Sequence, residues 1–210
     1  FVYVGFSLII LEIISIRFFF NNYLGDTDMF GLVLGVIWIV YPYIPNEYSR
    51  ERDFIFLFLN TFFIIIIIPA LLEITPLAND NYFEAKENWI EKFVTLPLVS
   101  ILQFLGYYSF ADGNKVYYTN ISLDNLQSVY IAPMCSGIYS IQVFFSAFGS
   151  YLLVFQKKIG RDILPIFLLG LLMSYTSNLL RLVMVILAGH YYGSDALYWT
   201  HQNLGWILFT

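Results

Sequence analysis

Apolar residues are arranged along this chain in long runs that are separated by short polar segments. A run of about 20 apolar residues is long enough to cross the hydrocarbon core of a bilayer as an α-helix. The pattern therefore predicts an all-α protein, a polytopic transmembrane bundle of about six spans. The predicted spans are residues 1–20, 30–43, 54–72, 134–155, 163–189 and a last one from His201 onward.

Two segments between the third and fourth spans depart from this pattern. Residues 89–110 carry polar or small residues at helical intervals, which predicts an amphipathic helix that is re-entrant or lies on the membrane surface. Residues 111–130 place the turn sequence Asp112-Gly113-Asn114 beside β-formers, which predicts a small extracytoplasmic hairpin. We expect one transmembrane domain over residues 1–210, made of N-terminal spans (1–72), an extracytoplasmic segment (73–133) and the spans with the candidate chemistry (134–210).

Basic residues cluster in two short loops, 46–53 and 156–162, and this predicts the orientation. Loops rich in Lys and Arg stay in the cytoplasm, so the acidic segments 21–28 and 73–88 and the hairpin are expected outside. This orientation requires that the 89–110 helix does not cross the membrane completely. A full crossing would place the two basic loops on opposite sides.

Composition supports a membrane protein and excludes several other classes. Of 210 residues, 59% are hydrophobic and only 12% are charged, which is too few charges for the surface of a soluble domain. The net charge of −5 argues against nucleic-acid binding. The single cysteine rules out an intrachain disulfide and a metal site built from several cysteines, and no cofactor is expected. The chain starts without Met and stops within an apolar run, so we expect a fragment.

The single cysteine, Cys135, lies where the extracytoplasmic segment meets a span. A lone cysteine in a membrane helix is more often a small buried hydrophobe than a nucleophile. Here Pro133 and Gly137 bracket it at a helix start, where free N–H groups and the helix dipole lower a thiol pKa. The position therefore favours a nucleophilic cysteine.

Arg181 and His201 are the other candidates. An arginine inside an apolar run costs about 2.5–3.5 kcal/mol on insertion scales, so it indicates a functional role unless it snorkels to headgroups. His201 opens the last span, and His190 is its rival on the same face. A helix rises about 1.5 Å per residue, so Cys135 lies about 30 Å from the loop that joins the two spans, and Arg181 lies about 28 Å from the same loop. Both distances are close to the thickness of the hydrocarbon core. All three are thus predicted at one depth, on the outer face.

These residues resemble the motifs of the exosortase/archaeosortase family of membrane-embedded cysteine enzymes. The resemblance covers about residues 98–209, and each motif is weak alone but fairly specific in combination. The matching segments are Cys135-Ser136-Gly137, the Asn178 to Arg181 pair in Asn-Leu-Leu-Arg, and His201 followed by Gly205-Trp206.

The resemblance implies a protein-sorting transpeptidase in the cell membrane. Its partners would be membrane lipid and secreted proteins whose C-terminal tail carries a short motif, a hydrophobic helix and a basic cluster. Cys135 would form a thioacyl intermediate and His201 would shuttle protons. Arg181 would stabilise the thiolate or the oxyanion. The product would be released by water or by an amine, which a lipid can supply.

Two neighbours are expected to support these residues. Ser136 would cap the following helix through its hydroxyl, and Asn178 would hydrogen-bond Arg181 from the same helical face. Two other functions compete with the enzyme: a small transporter in which Arg181 binds an anionic substrate, and an assembly subunit without chemistry. The substrate motif, the acceptor and the oligomeric state do not follow from the sequence.

Overall fold

The computed structural model describes residues 1–18, 26–74, 80–120, 125–156 and 160–209. This part of the chain is mostly helical, as the sequence predicts, but it also contains a three-stranded sheet. The α-helices are α1 (Val2–Phe18), α2 (Asp26–Val40), α3 (Ser49–Ile74), α4 (Asp80–Ile90), α5 (Leu96–Phe104), α6 (Ile138–Phe155), α7 (Ile163–Tyr192) and α8 (Ser194–Phe209). The strands are β1 (Ser109–Asp112), β2 (Lys115–Asn120) and β3 (Asn125–Tyr130).

Two of the described helices are long and apolar enough to span a membrane, namely α6 and α7. Shorter apolar helical stretches cover Val2–Ile14 and Gly31–Tyr43. The membrane character is therefore supported, whereas the count of about six spans is not confirmed. The basic residues Lys157 and Lys158, on which the predicted orientation partly depends, lie outside the described residues, as do residues 21–25 and 75–79 of the two acidic segments.

Several helices continue past the apolar run that predicted them. Asp26 and Asp28 belong to α2 rather than to a loop, and α3 already begins at Ser49. The largest difference is at the C-terminal end, where the excursion predicted at residues 190–200 is helical on both sides of Gly193. This glycine has φ +86°, a conformation that few other residues adopt, and it separates α7 from α8. His201 consequently lies about two turns into α8 and does not open the last helix.

Contacts divide the chain into two compact units, and the expectation of one domain stays a prediction. The first unit comprises Phe1–Leu72 and Gln142–Leu164. Within it, Tyr41 donates a hydrogen bond to Asp53 at 2.7 Å, and Arg52 pairs with the same carboxylate at 3.1 Å. The three side chains thus tie the end of α2 to the start of α3.

The second unit comprises Glu73–Ile141 and Pro165–Thr210 and contains the largest buried core. The helical segment 80–104 contributes one fully buried face with a spacing of four residues, as a helix requires. The sheet and the C-terminal half of α7 complete this core. Its fully buried or nearly buried members include Ile90, Val94, Leu98, Leu102, Val116, Tyr118, Leu182, Val185 and Ile186.

The helix predicted at residues 89–110 begins earlier and ends earlier than expected. It runs from Asp80 to Phe104 through one π-helical turn, Glu91–Thr95. The π turn lies just before Pro97, which has no N–H to donate to the carbonyl of Phe93 four residues earlier. The hydroxyl of Tyr175 in α7 donates to that carbonyl at 2.7 Å. A tertiary hydrogen bond therefore replaces the helical one that proline removes.

The predicted hairpin is present, but it is part of a larger meander. The strands pair antiparallel in the order β1-β2-β3, and Asp112 pairs with Lys115 across the Gly113-Asn114 turn. The third strand continues into the segment that carries the cysteine. The N–H of Ile131 donates to the carbonyl of Asn114 at 2.8 Å, which fixes the start of that segment against the turn.

Candidate functional site

Cys135 closes a short 3-10 turn, Pro133–Cys135, that precedes α6. Its N–H donates to the carbonyl of Ala132 at 2.8 Å, so it is not a free donor. The buried hydroxyl of Ser136 donates to the carbonyl of Pro133 at 2.6 Å. Ser136 therefore holds the turn, and its expected capping of α6 stays a prediction.

His201 lies directly beside the cysteine. Its Nε2 is 3.6 Å from Cys135 Sγ, within the range of a sulfur–nitrogen hydrogen bond. The two residues come from segments 66 positions apart in the sequence and contact each other within one compact unit. The structure therefore brings together a thiol and an imidazole that can exchange a proton without an intervening group.

Asn178 fixes the backbone of the cysteine from α7. Its Nδ2 donates to the carbonyl of Cys135 at 3.3 Å, and the side chain is 4% exposed. The described hydrogen bond of Asn178 thus goes to Cys135 and not, as expected, to Arg181. Gly137 leaves the space for this arrangement, because a Cβ on it would lie only 2.7 Å from Asn178 Nδ2.

Arg181 acts on the cysteine through its charge. Burial raises the pKa of the Cys135 thiol above its ordinary value, and the Arg181 guanidinium opposes this change by favouring the thiolate. The expected net lowering at a helix start is wrong, because α6 begins only at Ile138 and desolvation outweighs the nearby cation. The Nε of Arg181 is buried and has no hydrogen-bond partner among the described residues.

His190, the alternative base, lies against the sheet. It is 8% exposed and its Nδ1 hydrogen-bonds the carbonyl of Thr119 in β2. Nearby, Asn120 Nδ2 donates to the carbonyl of Gly189 at 3.0 Å. These contacts fasten the sheet to the C-terminal end of α7, so the described contacts of His190 lie at the sheet rather than at the thiol.

The contacts between β2 and α7 are not visible in the sequence. A Cβ on Gly189 would lie 2.7 Å from the hydroxyl of Tyr118, so the strand approaches the helix closely only because this residue is glycine. A Gly-His pair near the end of a long apolar run is a weak sign of such a contact. The sequence predicts the strand but contains no signal that it packs against α7.

Burial changes along α7 near the site. Between Leu164 and Met173 most apolar side chains are more than half exposed, as is typical of a lipid-facing helix. From Asn178 to His190 the buried face of α7 belongs to the core of the second unit. Arg181 therefore lies near the start of the part of α7 that is covered by protein.

The described residues contain no group of three or more His, Cys, Asp or Glu side chains arranged to hold a metal ion. Comparison with known proteins identifies one family: its model, described as transmembrane exosortase, matches residues 3–210. No curated protein and no solved structure matches the chain. The family match covers almost the whole chain, including all of the residues assembled around Cys135.

Proposed function

Because the chain belongs to the transmembrane exosortase family, we propose that it is a membrane cysteine transpeptidase that cleaves the C-terminal sorting tail of secreted proteins. Family membership supports a membrane sorting transpeptidase in general. The observation that supports the specific chemistry is the 3.6 Å contact between Cys135 Sγ and His201 Nε2. A nucleophile and a base within hydrogen-bond reach are the minimum for covalent acyl transfer.

In the first half-reaction, His201 Nε2 accepts the thiol proton while Sγ of Cys135 attacks the scissile carbonyl carbon. This assignment fits the raised pKa of the thiol, since a half-buried cysteine that remains protonated needs a base at the moment of attack. When the tetrahedral intermediate collapses, the C–N bond breaks and His201 returns the proton to the leaving amine. The product that remains on the enzyme is a thioester.

In the second half-reaction an amine, carried by a lipid or another acceptor, attacks the thioester carbonyl. His201 removes a proton from the attacking nitrogen and delivers it to the departing sulfur, which restores the thiol. Water in place of the amine would give hydrolysis with the same proton transfers. The net reaction exchanges one amide bond for another and consumes no cofactor.

Arg181 and Asn178 complete the proposed site. The guanidinium of Arg181 would stabilise the negative charge of the thiolate and of the oxyanion that follows it. Its buried Nε has no described partner, so it can still donate a hydrogen bond. Asn178 would position the cysteine by holding its carbonyl, and Ser136 by holding the turn.

We place this site on the extracytoplasmic face of a multi-pass protein. Arg181 is 18 residues from the start of α7, or about 27 Å along the helix, which is close to the thickness of the hydrocarbon core. The loop at the other end of the helix is basic, as cytoplasmic loops are. A substrate's hydrophobic helix would lie in the membrane, with its basic end retained in the cytoplasm.

The same substitution at the two histidines tests the assignment. His201→Asn should abolish cleavage of a tailed secreted protein because asparagine cannot accept the thiol proton, and its unfolding temperature should stay near that of the wild type. His190→Asn keeps an N–H near the position of Nδ1 and should preserve cleavage. The measurement is the mobility of the tailed protein on a gel, together with thermal unfolding of each purified variant.

Cys135→Ser provides the second part of the test, since a hydroxyl is a far weaker nucleophile than a thiol in this setting. Continued processing by Cys135→Ser would exclude the cysteine mechanism and favour a subunit without chemistry. An inactive, folded His190→Asn variant together with an active His201→Asn variant would reverse the roles of the two histidines.

A further inference from the structure

Strand β3 forms one edge of the sheet, and within the described residues this edge is open. The strand order is β1-β2-β3, and among the described elements only β2 packs extensively against β3. In β2 the inward side chains of Val116 and Tyr118 are buried. Their cross-strand partners in β3, Val129 and Gln127, remain partly exposed. The inner face of the sheet is therefore only half covered at β3.

The main-chain groups that face this edge follow from the register. The N–H of Ile131 donates to the carbonyl of Asn114 at 2.8 Å, so the main chain of Ile131 points toward the β2 side. This direction alternates from one residue to the next along an antiparallel ladder. The N–H and C=O groups of Leu126, Ser128 and Tyr130 therefore point away from β2. In the described part of the chain, no hydrogen bond reaches these outward groups.

The opposite edge of the sheet is protected, in contrast to β3. Strand β1 has only four residues and packs against α5, from which Gln103 Nε2 donates to the carbonyl of Ser109 at 2.8 Å. Proteins usually block a free edge with charges, prolines or a covering element, because such an edge pairs with other chains. The sequence of β3, NLQSVY, contains neither a charged residue nor a proline. The contrast between the two edges indicates that β3 is kept available for pairing.

An extended polypeptide is the ligand whose chemistry matches this edge. Outward N–H and C=O groups recur at every second residue, and another extended main chain offers the complementary groups at the same spacing. The edge is also continuous with the proposed active site. Tyr130 precedes Cys135 by five residues, which span at most about 18 Å of extended chain. A peptide that runs parallel to β3 would therefore direct its C-terminal end toward the thiol.

We propose that the outer edge of β3 pairs with the stretch of substrate that precedes the scissile bond, and that this stretch joins the sheet as a fourth, parallel strand. The inference rests on the proposed function and adds to it a binding site for the main chain of the substrate. The added strand would cover Val129 and Gln127 on the inner face. On the outer face it would lie beside the exposed side chains of Leu126 and Tyr130, which would select its side chains.

The test attaches a probe peptide to the thiol of the full chain in detergent and measures the rate of attachment. The probe is the acetylated hexapeptide Thr-Val-Thr-Val-Thr-Val with a C-terminal cysteamine amide, whose sulfur is activated as a pyridyl disulfide. The Cys135 thiolate attacks the cysteamine sulfur and releases pyridinethione, which is followed by its absorbance. We expect the probe to react about tenfold faster, or more, than the pyridyl disulfide of N-acetylcysteamine, because pairing with β3 raises its effective concentration at the thiol.

The pairing is removed first on the probe and then on the protein. A probe with N-methylated amides has lost its N–H donors but is no less apolar, and it should react at about the rate of the N-acetylcysteamine compound. Ser128→Pro removes an outward N–H without removing a bond to β2, and it should lower the advantage of the probe about fivefold or more. Ala111→Pro makes the same change at the β1 edge, where by the same alternation the N–H also points away from β2, and it should preserve the advantage.

Equal rates for the probe and its N-methylated form would overturn the proposal, and this comparison needs only the unaltered protein if a proline variant unfolds. An effect of Ala111→Pro as large as that of Ser128→Pro, with both variants folded, would also overturn it. Light scattering on the same samples tests the other occupant: a dimer that Ser128→Pro separates into monomers would assign the edge to a second copy of the chain.

The attachment assay is independent of peptide cleavage, since it requires only a thiol that the probe can reach. A probe without any advantage, together with normal cleavage of tailed proteins, would refute the strand pairing and leave the proposed function intact. Continued cleavage by Cys135→Ser would refute the cysteine chemistry whatever the probe does.

Discussion

The contact between Gly137 and Asn178 leads to a quantitative prediction for Gly137→Ala. Gly137 has φ +87°, where a residue with a Cβ is strained by about 1–2 kcal/mol. The new Cβ would also lie 2.7 Å from Asn178 Nδ2, whereas ordinary contacts begin at 3.4 Å. The amide must therefore retreat by about 0.7 Å, the difference between these two distances.

That retreat is large enough to break the bond that holds the cysteine. The hydrogen bond from Asn178 to the Cys135 carbonyl is already 3.3 Å long, and a further 0.7 Å takes it to about 4 Å, beyond hydrogen-bonding range. Its loss adds about 0.5–1.5 kcal/mol to the strain. We expect Gly137→Ala to lower the free energy of unfolding by about 1.5–3.5 kcal/mol. Turnover should fall up to about 100-fold, since a misplacement near 1 Å can have that effect.

Gly149→Ala is the matched control, because Gly149 lies within α6 and a Cβ there would meet nothing within 4 Å. Alanine in a helix interior should leave turnover unchanged and raise stability by about 0.5–1 kcal/mol. The assays are chemical unfolding in detergent and the rate of cleavage of a tailed protein. If Gly137→Ala were as stable and as active as Gly149→Ala, Asn178 would not position the cysteine, and the reasoning above would fail.

Two further predictions concern the helix with the π turn and the thiol. Tyr175→Phe leaves the carbonyl of Phe93 without its described partner and should lower the free energy of unfolding by about 1–3 kcal/mol. The control Tyr139→Phe changes an exposed position and should leave the free energy of unfolding unchanged. Equal stabilities of the two variants would show that the bond is unimportant. Alkylation of Cys135 by iodoacetamide should rise with pH around a midpoint above that of a free thiol, because burial raises the pKa. Arg181→Gln should move this midpoint higher still, because it removes the charge that favours the thiolate; an unchanged or lower midpoint would contradict that role.

The sequence predicts the parts of this structure that depend on long, uniform runs. Helices α6 and α7 follow from such runs, and their lengths place Cys135 and Arg181 at a similar depth before any contact is known. The proximity of His201 to the thiol is consistent with that reasoning, although His201 lies within α8 and not at its start. Depth limits which residues can meet but does not determine which atoms bond.

Side-chain partners were predicted less well, because spacing along one helix reveals only local neighbours. Asn178 was assigned to Arg181 on the same face, yet its described bond reaches Cys135, which is 43 residues away. The hydroxyl of Ser136 donates backward to Pro133 within its own turn, a bond that the sequence did not predict. The burial of His190 depends on a strand that the sequence did not predict to cover it. The contacts of Asn178 and His190 join separate elements, which spacing along one helix does not reveal.

Helix α7 is longer than a bilayer is thick, and this has a consequence for how a substrate reaches the thiol. Its 30 residues extend about 45 Å, so about 15 Å of it continues beyond a hydrocarbon core of about 30 Å. Arg181 consequently lies along the side of a continuous helix and not at its end. Under the proposed function, a substrate helix alongside α7 would approach laterally from the lipid phase, and its hydrophobic length would set which peptide bond stops level with the thiol. Cleavage would be selected by length as well as by sequence, and one helical turn more or less in the tail would shift the bond by about 5.4 Å.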